Sequence, residues 1–96
     1  MPKGYMIGHI TVQNPDEYAE YVRADTPIVE RFGGRFLVRG GQCETPETPV
    51  KDRHVVIEFP DYETAREFYY SDDYQKVAEI RKANAVSDIV IVEGTE

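Results

Sequence analysis

The chain has no tryptophan, one cysteine (Cys43) and no apolar run near the roughly 20 residues that cross a membrane. One cysteine excludes a disulfide within the chain and a Cys-x-x-Cys metal knuckle, and it favours a reducing, cytoplasmic location. Basic residues are also scarce, since 11 Lys and Arg stand against 18 Asp and Glu, which gives a net charge of −7. That charge repels phosphate backbones and anionic lipids, so neither nucleic acid nor a membrane is an expected partner.

The rest of the composition is typical of a small globular protein. Of the 96 residues, 41% are hydrophobic and 30% are charged, which separates the chain from disordered segments. A domain of this length buries roughly 65% of the surface that its unfolded chain exposes, enough for one core. We therefore expect a single domain over residues 1–96.

Hydrophobic periodicity predicts seven elements in the order β-α-β-β-α-α-β. The predicted strands are Tyr5–Val12, Arg35–Arg39, His54–Phe59 and Ser87–Glu93. The first helix runs from Asn14 to about Phe32, the second begins at Asp61, and the third begins at Ser71 and fades near Asn84. Asn14, Asp61 and Ser71 are expected to cap their helices, and Gly33-Gly34 to end the first one.

This order fits a ferredoxin-like α+β fold, with an antiparallel sheet of strand order 4-1-3-2 and the helices on one face. Alternation along the strands then sorts the side chains onto two faces. The helix-covered face is expected to carry Met6, Gly8, Ile10, Val12, Phe36, Val38, Val55, Ile57, Phe59, Ile89 and Ile91. The opposite face is expected to carry Tyr5, Ile7, His9, Thr11, Arg35, Leu37, Arg39, His54, Val56, Glu58, Val90 and Val92.

The second face is half apolar, and a monomer rarely exposes such a patch. A second copy of the chain that covers it is the simplest explanation. We therefore expect a homodimer through this sheet face, centred on Ile7, Leu37, Val56 and Val90.

Several short motifs together resemble one known family. They are Gly33-Gly34-Arg35, Leu37 to Gly41, Val56 to Pro60, Ser71 with Tyr74-Gln75, Arg81, the pair Tyr18 and Tyr21, and Val92-Glu93-Gly94. Over essentially its whole length the chain resembles the bacterial family catalogued as domain of unknown function 1330. The resemblance implies a dimeric α/β barrel in which two ferredoxin-like sheets pack face to face. Superfamily relatives include muconolactone isomerases, cofactor-free monooxygenases and haem-binding chlorite dismutases, but the family has no agreed activity.

Polar side chains on the second face form the first candidate site. Antiparallel pairing of strands two and three would set Arg39 opposite His54 and Arg35 opposite Glu58, with His9 nearby. The arginines could bind an organic anion while His9, His54 or Glu58 moves a proton. The alternative is an ion-pair network that fixes the register of a dimer.

The space between helices and sheet is the second candidate site, since superfamily relatives place ligands there. Its expected lining is Tyr18, Tyr21, Asp25, Tyr69, Tyr74 and Arg81. These tyrosines suit a small aromatic ligand, and a desolvated Asp25 could act as a base. The alternatives are that the stripe is ordinary core, that a kink at Pro27 turns Asp25 to solvent, or that Arg81 pairs with it.

No metal or cofactor is expected. His54 and Glu58 are four residues apart on one strand, about 13 Å by strand rise, so they cannot share a metal ion. The predicted function is that of a cofactor-independent enzyme acting on a small organic molecule, anionic or aromatic. The alternative is a non-catalytic ligand-binding or protein-interaction module. The predicted catalytic residues are His9, His54 and Glu58, and the predicted substrate-binding residues are Arg39, Arg35, Tyr18, Tyr69, Tyr74 and Arg81.

Overall fold

The computed structural model describes residues 2–48 and 50–96. It contains strands β1 (Gly4–Val12), β2 (Arg35–Arg39), β3 (Arg53–Phe59) and β4 (Ala85–Glu93), and helices α1 (Pro15–Arg31), α2 (Tyr62–Tyr70) and α3 (Asp72–Asn84). Their order along the chain is the predicted one. In the described part of the chain, no helix combines the length and the apolar character needed to cross a membrane.

The four strands form one antiparallel sheet in the order β2-β3-β1-β4, which is the predicted order read from its other edge. The predicted ferredoxin-like α+β architecture is therefore confirmed. The core lies between one sheet face and the helices, and its largest fully buried side chains are Val29, Ile57, Phe59, Phe68 and Tyr74. The Phe68 ring lies at its centre, 5.0 Å from the Phe59 ring and 4.5 Å from the Tyr74 ring.

Local capping signals decide where the helices begin and end. The Asp61 side chain accepts a hydrogen bond from the Thr64 amide at 2.7 Å, as an N-cap of α2 should. Ser71 accepts one from the Tyr74 amide at 3.2 Å at the start of α3. Asn14 occupies the N-cap of α1 but makes no side-chain capping bond. Gly33 follows α1 with a φ of 76°, the left-handed conformation that glycine adopts without strain.

One irregularity changes the predicted distribution of side chains over the two faces. The pairs Arg35–Glu58 and Phe36–Ile57 have the predicted register, but a β-bulge then shifts it, so that Val38 pairs with Val56 and Arg39 with Val55. Leu37 is the extra residue. A one-residue shift moves side chains to the other face. The prediction that Arg39 lies opposite His54 is therefore wrong, and Val38 and Arg39 have exchanged faces.

None of the helices in the described part of the chain covers the other side of the sheet, here called the open face. It consists of Tyr5, Ile7, His9, Thr11, Arg35, Val38, His54, Val56, Glu58, Val86, Asp88, Val90 and Val92. Four of its members, Val38, Val86, Val90 and Val92, are among the exposed large hydrophobic residues of the described chain. The predicted apolar patch is therefore present on the sheet.

The contribution of the Ser71 cap to the stability of the fold can be tested by mutation. Ser71→Ala removes the acceptor for the Tyr74 amide, and we expect the free energy of unfolding to fall by about 1 kcal/mol. Asn14→Ala is the matched control because Asn14 makes no capping bond, so this change should have a much smaller effect. Urea denaturation followed by circular dichroism measures both. Equal losses in the two variants would contradict the assignment of the caps.

Candidate functional site

A small cavity lies between α1 and the helix-covered side of the sheet, and we call it the inner cavity. It is lined by Met6, Gly8, Ile10, Tyr18, Tyr21, Val22, Asp25, Phe36, Arg39, Arg53, Val55, Ile57 and Ile89. Its volume is about 20 Å³, which gives room for about one water molecule. A larger molecule can therefore enter only if side chains at its mouth move.

Asp25 is the unusual group in this lining. The α1 helix directs it inward, and the residue is only 3% exposed, so the alternative that it turns to solvent is wrong. Its Oδ1 atom has no hydrogen-bond partner among the described residues. Burial raises the pKa of Asp25 from 3.8 to about 7, although the positive charges of Arg39 and Arg81 oppose that rise. A carboxyl group with this pKa can accept and release a proton at neutral pH.

Arg39 reaches this cavity because the bulge turns it toward the helices. Its Nη2 donates hydrogen bonds to the Thr26 hydroxyl and, at 3.4 Å, to the Val22 carbonyl, so the side chain spans from β2 to α1. Its guanidinium also lies 3.9 Å from the centre of the Phe36 ring. Arg39 is exposed and lines the cavity. It therefore stands where the cavity meets the surface.

Arg53 is a second arginine of the cavity that sequence reasoning did not single out. It pairs with Ile10 at the start of β3, and its guanidinium lies 5.4 Å from the centre of the Tyr18 ring. Its Nε atom is buried without a hydrogen-bond partner in the described part of the chain. The alternation of side chains along β3 could have identified Arg53. Once this strand is extended by one residue, Arg53 lies on the same face of the sheet as Val55 and Ile57.

Tyrosines and Arg81 form a buried polar cluster on the α3 side. The Tyr21 and Tyr74 hydroxyls share a hydrogen bond of 2.8 Å, and burial raises the pKa of both. Tyr69 packs against Tyr74, with ring centres 5.4 Å apart. Arg81 is 3% exposed and donates from Nη1 to the Ser87 hydroxyl at 2.5 Å, while its Nε and Nη2 lack partners among the described residues.

Arg81 does not pair with Asp25. In the described part of the chain, the ion pairs include neither residue. The second predicted site is thus largely brought together, with Tyr18, Tyr21 and Asp25 lining the cavity and Tyr69, Tyr74 and Arg81 adjoining it through Tyr21.

The first predicted site is divided between the two sides of the sheet. On the open face, the Nδ1 atoms of His9 and His54 share a hydrogen bond of 2.9 Å. Beside them, Glu58 accepts from Arg35 Nε at 2.9 Å and from the Tyr5 hydroxyl at 3.1 Å. Arg39 lies on the opposite side, so the predicted sharing of one ligand by Arg39 and His54 is wrong.

Glu58 is poorly suited to accept a proton. Its hydrogen bond from Arg35 is the largest of the effects that lower its pKa, and the bond from Tyr5 acts in the same direction. A carboxylate that already accepts two hydrogen bonds is a stabilised, weakly basic group. Within residues 2–48 and 50–96, no three His, Cys, Asp or Glu side chains form a group that could hold a metal ion.

Comparison with known proteins identifies the family of the chain and solved structures that share its fold. Residues 3–95 match the family described as domain of unknown function (DUF1330). No curated protein matches the sequence. Among solved structures, a protein of unknown function from Rhodopseudomonas palustris is similar with a TM-score of 0.72 and 19% identity, over 99% of this chain and 84% of the other.

Two further structures show the same fold. SnoaB, a cofactor-independent oxygenase from Streptomyces nogalater, has a TM-score of 0.65 and 15% identity over 100% of this chain and 96% of its own. A dimeric ferredoxin-like protein of unknown function from Jannaschia has a TM-score of 0.76 and 11% identity, over 95% of this chain and 98% of its own. At these identities the similarity demonstrates the fold alone.

The titration of Asp25 should be visible in the stability of the fold. Because its pKa is raised from 3.8 to about 7 by folding, the protonated group stabilises the native state below about pH 4, and this contribution is lost as the pH rises through 7. We expect the free energy of unfolding of the original chain, minus that of Asp25→Asn, to decrease by up to about 4 kcal/mol over this range.

Urea denaturation at a series of pH values measures this difference. Asp16→Asn is the control, since Asp16 is an exposed residue in the first turn of the same helix. A difference between the original chain and Asp25→Asn that stays constant with pH would contradict the raised pKa.

Proposed function

Because the chain belongs to the DUF1330 family of domains of unknown function, we propose an activity from its own residues. In this proposal the protein is a cofactor-independent enzyme. It acts on a small organic molecule bound at the inner cavity, and Asp25 is the proton acceptor. One observation carries this proposal. Asp25 lines the cavity, is 3% exposed, and has a carboxyl oxygen without a partner among the described residues.

The surroundings of Asp25 suit proton removal from a weakly acidic carbon or phenol. A base works best when its pKa lies near the working pH, and burial brings Asp25 to about 7. Arg39 and Arg81 place positive charge close to that carboxyl. Such fixed charge in a buried site would stabilise the negative charge that develops on a deprotonated substrate.

The aromatic lining supports the same proposal. The Tyr18 and Tyr21 rings lie 5.4 Å apart and both line the cavity. They give it an apolar wall that suits a ring or a short carbon chain. SnoaB, which shares this fold, is described as a cofactor-independent oxygenase, so the architecture is compatible with chemistry of that kind.

Hydrogen–deuterium exchange tests the proposed proton transfer. We would incubate the protein in D₂O with a panel of small phenols and 1,3-dicarbonyl compounds, and follow deuterium incorporation by NMR and oxygen uptake by electrode. We expect turnover of at least one compound by the original chain and by Asp16→Asn, and a loss of about 100-fold or more in Asp25→Asn.

Two outcomes would contradict this function. Unchanged turnover in Asp25→Asn would remove Asp25 from the reaction. Binding of a compound that is always recovered without exchange or oxidation would favour the alternative, a non-catalytic binding module.

We also propose that the chain forms a homodimer through the open face. Two solved structures with this fold, including the Jannaschia protein, are described as dimeric ferredoxin-like proteins. The open face exposes Val90 at 49%, with Val38 and Val92 also exposed on it. Covering these side chains with a second copy removes their apolar surface from water.

The polar groups of the open face have a role in this assembly. His9 with His54, and Glu58 with Arg35, form hydrogen-bonded pairs within one subunit, so they would enter an interface already partnered. Such pairs would fix the register of the two sheets.

We place the protein in the reducing environment of the cytoplasm as part of the same proposal. The exposed thiol of Cys43, which forms no disulfide, is consistent with that environment.

Light scattering tests the proposed dimer. Val90→Glu places a charge among apolar side chains of the open face, and we expect it to convert a particle of twice the chain mass into a folded monomer. Ala83→Glu adds the same charge at an exposed position of α3 and should leave the dimer intact. A monomer for the original chain, or a dimer for Val90→Glu, would contradict this interface.

A further inference from the structure

The arginines near the inner cavity differ from the other arginines of the chain. Four arginines form ion pairs with acidic side chains: Arg23, Arg31, Arg35 and Arg66. The ion pairs of the described residues do not include Arg39 or Arg53, both of which line the cavity. In a chain with 18 acidic residues, two guanidinium groups at one cavity without an acidic partner are well placed for an anion from outside.

Arg39 is held by neutral partners that an anion could replace. Its Nη2 bonds are to the neutral Thr26 hydroxyl and Val22 carbonyl. A carboxylate carries the opposite charge and can accept two parallel N–H bonds from a guanidinium, which neither of these neutral oxygens can do. If Arg39 left α1 for such a partner, its side chain would move from the cavity mouth and the cavity could admit more than one water molecule.

The turn that follows β2 makes room for the guanidinium of Arg53, which lines the same cavity as Arg39. A Cβ atom at Gly40 would lie 2.7 Å from Arg53 Nη1, so the missing side chain at position 40 makes room for this guanidinium. Gly40 also has a φ of 73°, which other residues rarely adopt. The guanidinium of Arg53 therefore lies next to the residue that follows Arg39, and it packs over Tyr18.

We propose that Arg39 and Arg53 together bind the carboxylate of a small organic acid, whose apolar part enters the inner cavity beside Tyr18. This inference deepens the proposed function by naming the class of substrate, and it rests on that function only for the location of the ligand. It also has a consequence for Asp25. The charge of Arg39 lowers the pKa of Asp25, so an anion bound to Arg39 should raise it and cause uptake of a proton near pH 7. Asp25 would then act as the base for such an acid only above the raised pKa, where its carboxylate form is restored.

Binding of simple acids tests the proposal without knowledge of the natural substrate. Benzoate, phenylacetate and salicylate would be titrated into the protein by calorimetry, with benzamide as the neutral counterpart of benzoate. We expect the acids to bind and benzamide to bind at least about tenfold more weakly, because a hydrogen bond to a charged group contributes that much.

Matched variants assign the binding to the two arginines. Arg39→Gln and Arg53→Gln should each weaken benzoate binding by about tenfold or more. Arg66→Gln makes the same change of charge on the exposed side of α2 and should leave binding unchanged. Thr26→Val removes the hydroxyl that holds Arg39 to α1, and it should strengthen binding.

Calorimetry in two buffers of different ionisation enthalpy measures the proton taken up with benzoate near pH 7. We expect uptake by the original chain and none by Asp25→Asn, and we expect affinity to fall as the pH rises through 7. A binding site that is present without proton uptake would overturn the coupling to Asp25.

Three results would overturn the carboxylate site itself. They are equal binding of benzoate and benzamide, unchanged binding in both arginine variants, and no binding of any of the three acids. None of these results removes Asp25 as a base, because that role is tested by turnover of neutral phenols and dicarbonyl compounds. Conversely, if turnover is unchanged in Asp25→Asn, Asp25 is not the base, but the binding of the three acids still tests the carboxylate site.

Discussion

A single extra residue in β2 decides which arginine reaches the inner cavity from that strand. Leu37 is inserted where β2 pairs with β3, and the register shift turns Arg39 from the open face to the helices. Without the bulge, Arg39 would lie opposite His54, and α1 would face an apolar sheet edge. With it, a guanidinium spans from β2 to Thr26 and Val22 at the mouth of a cavity that contains a buried carboxyl group. The electrostatics of Asp25 depend on this geometry.

The balance of charge around Asp25 explains why a carboxyl group can be retained there. Burial alone favours the protonated form, whereas the two nearby arginines, Arg39 and Arg81, favour the charged form. Burial is the larger effect, so the pKa is raised to about 7, while the two arginines keep it below that of a buried carboxyl with no positive charge nearby. A residue held at this balance responds strongly to any added charge, and this links the proposed base to the proposed carboxylate site.

The polar groups on the two sides of the sheet differ in how fully they are hydrogen-bonded. On the open face, His9, His54, Glu58 and Arg35 are hydrogen-bonded to one another in pairs, which suits groups that become buried in an interface. On the helix side, Asp25, Arg53 and Arg81 retain atoms without partners among the described residues. Buried polar atoms of this kind are costly to stability and are concentrated at functional sites. The distribution therefore supports assembly on one side and ligand binding on the other.

The sequence alone determined the elements, their order and the strand order of the sheet. It could do so because caps such as Ser71, the glycines after α1 and the alternation in β1 and β4 are local signals within a few residues of each boundary. It also indicated Asp25, since a carboxyl within an apolar helical stripe stands out. Only the tertiary structure decided the bulge at Leu37, because a bulge depends on how two strands fit against each other and the segment from Arg35 to Arg39 carries no mark of it. The side on which Arg39 lies, the position of Arg53 beside Gly40 and the absence of a pair between Asp25 and Arg81 all depend on such contacts between distant segments, which local pattern cannot specify.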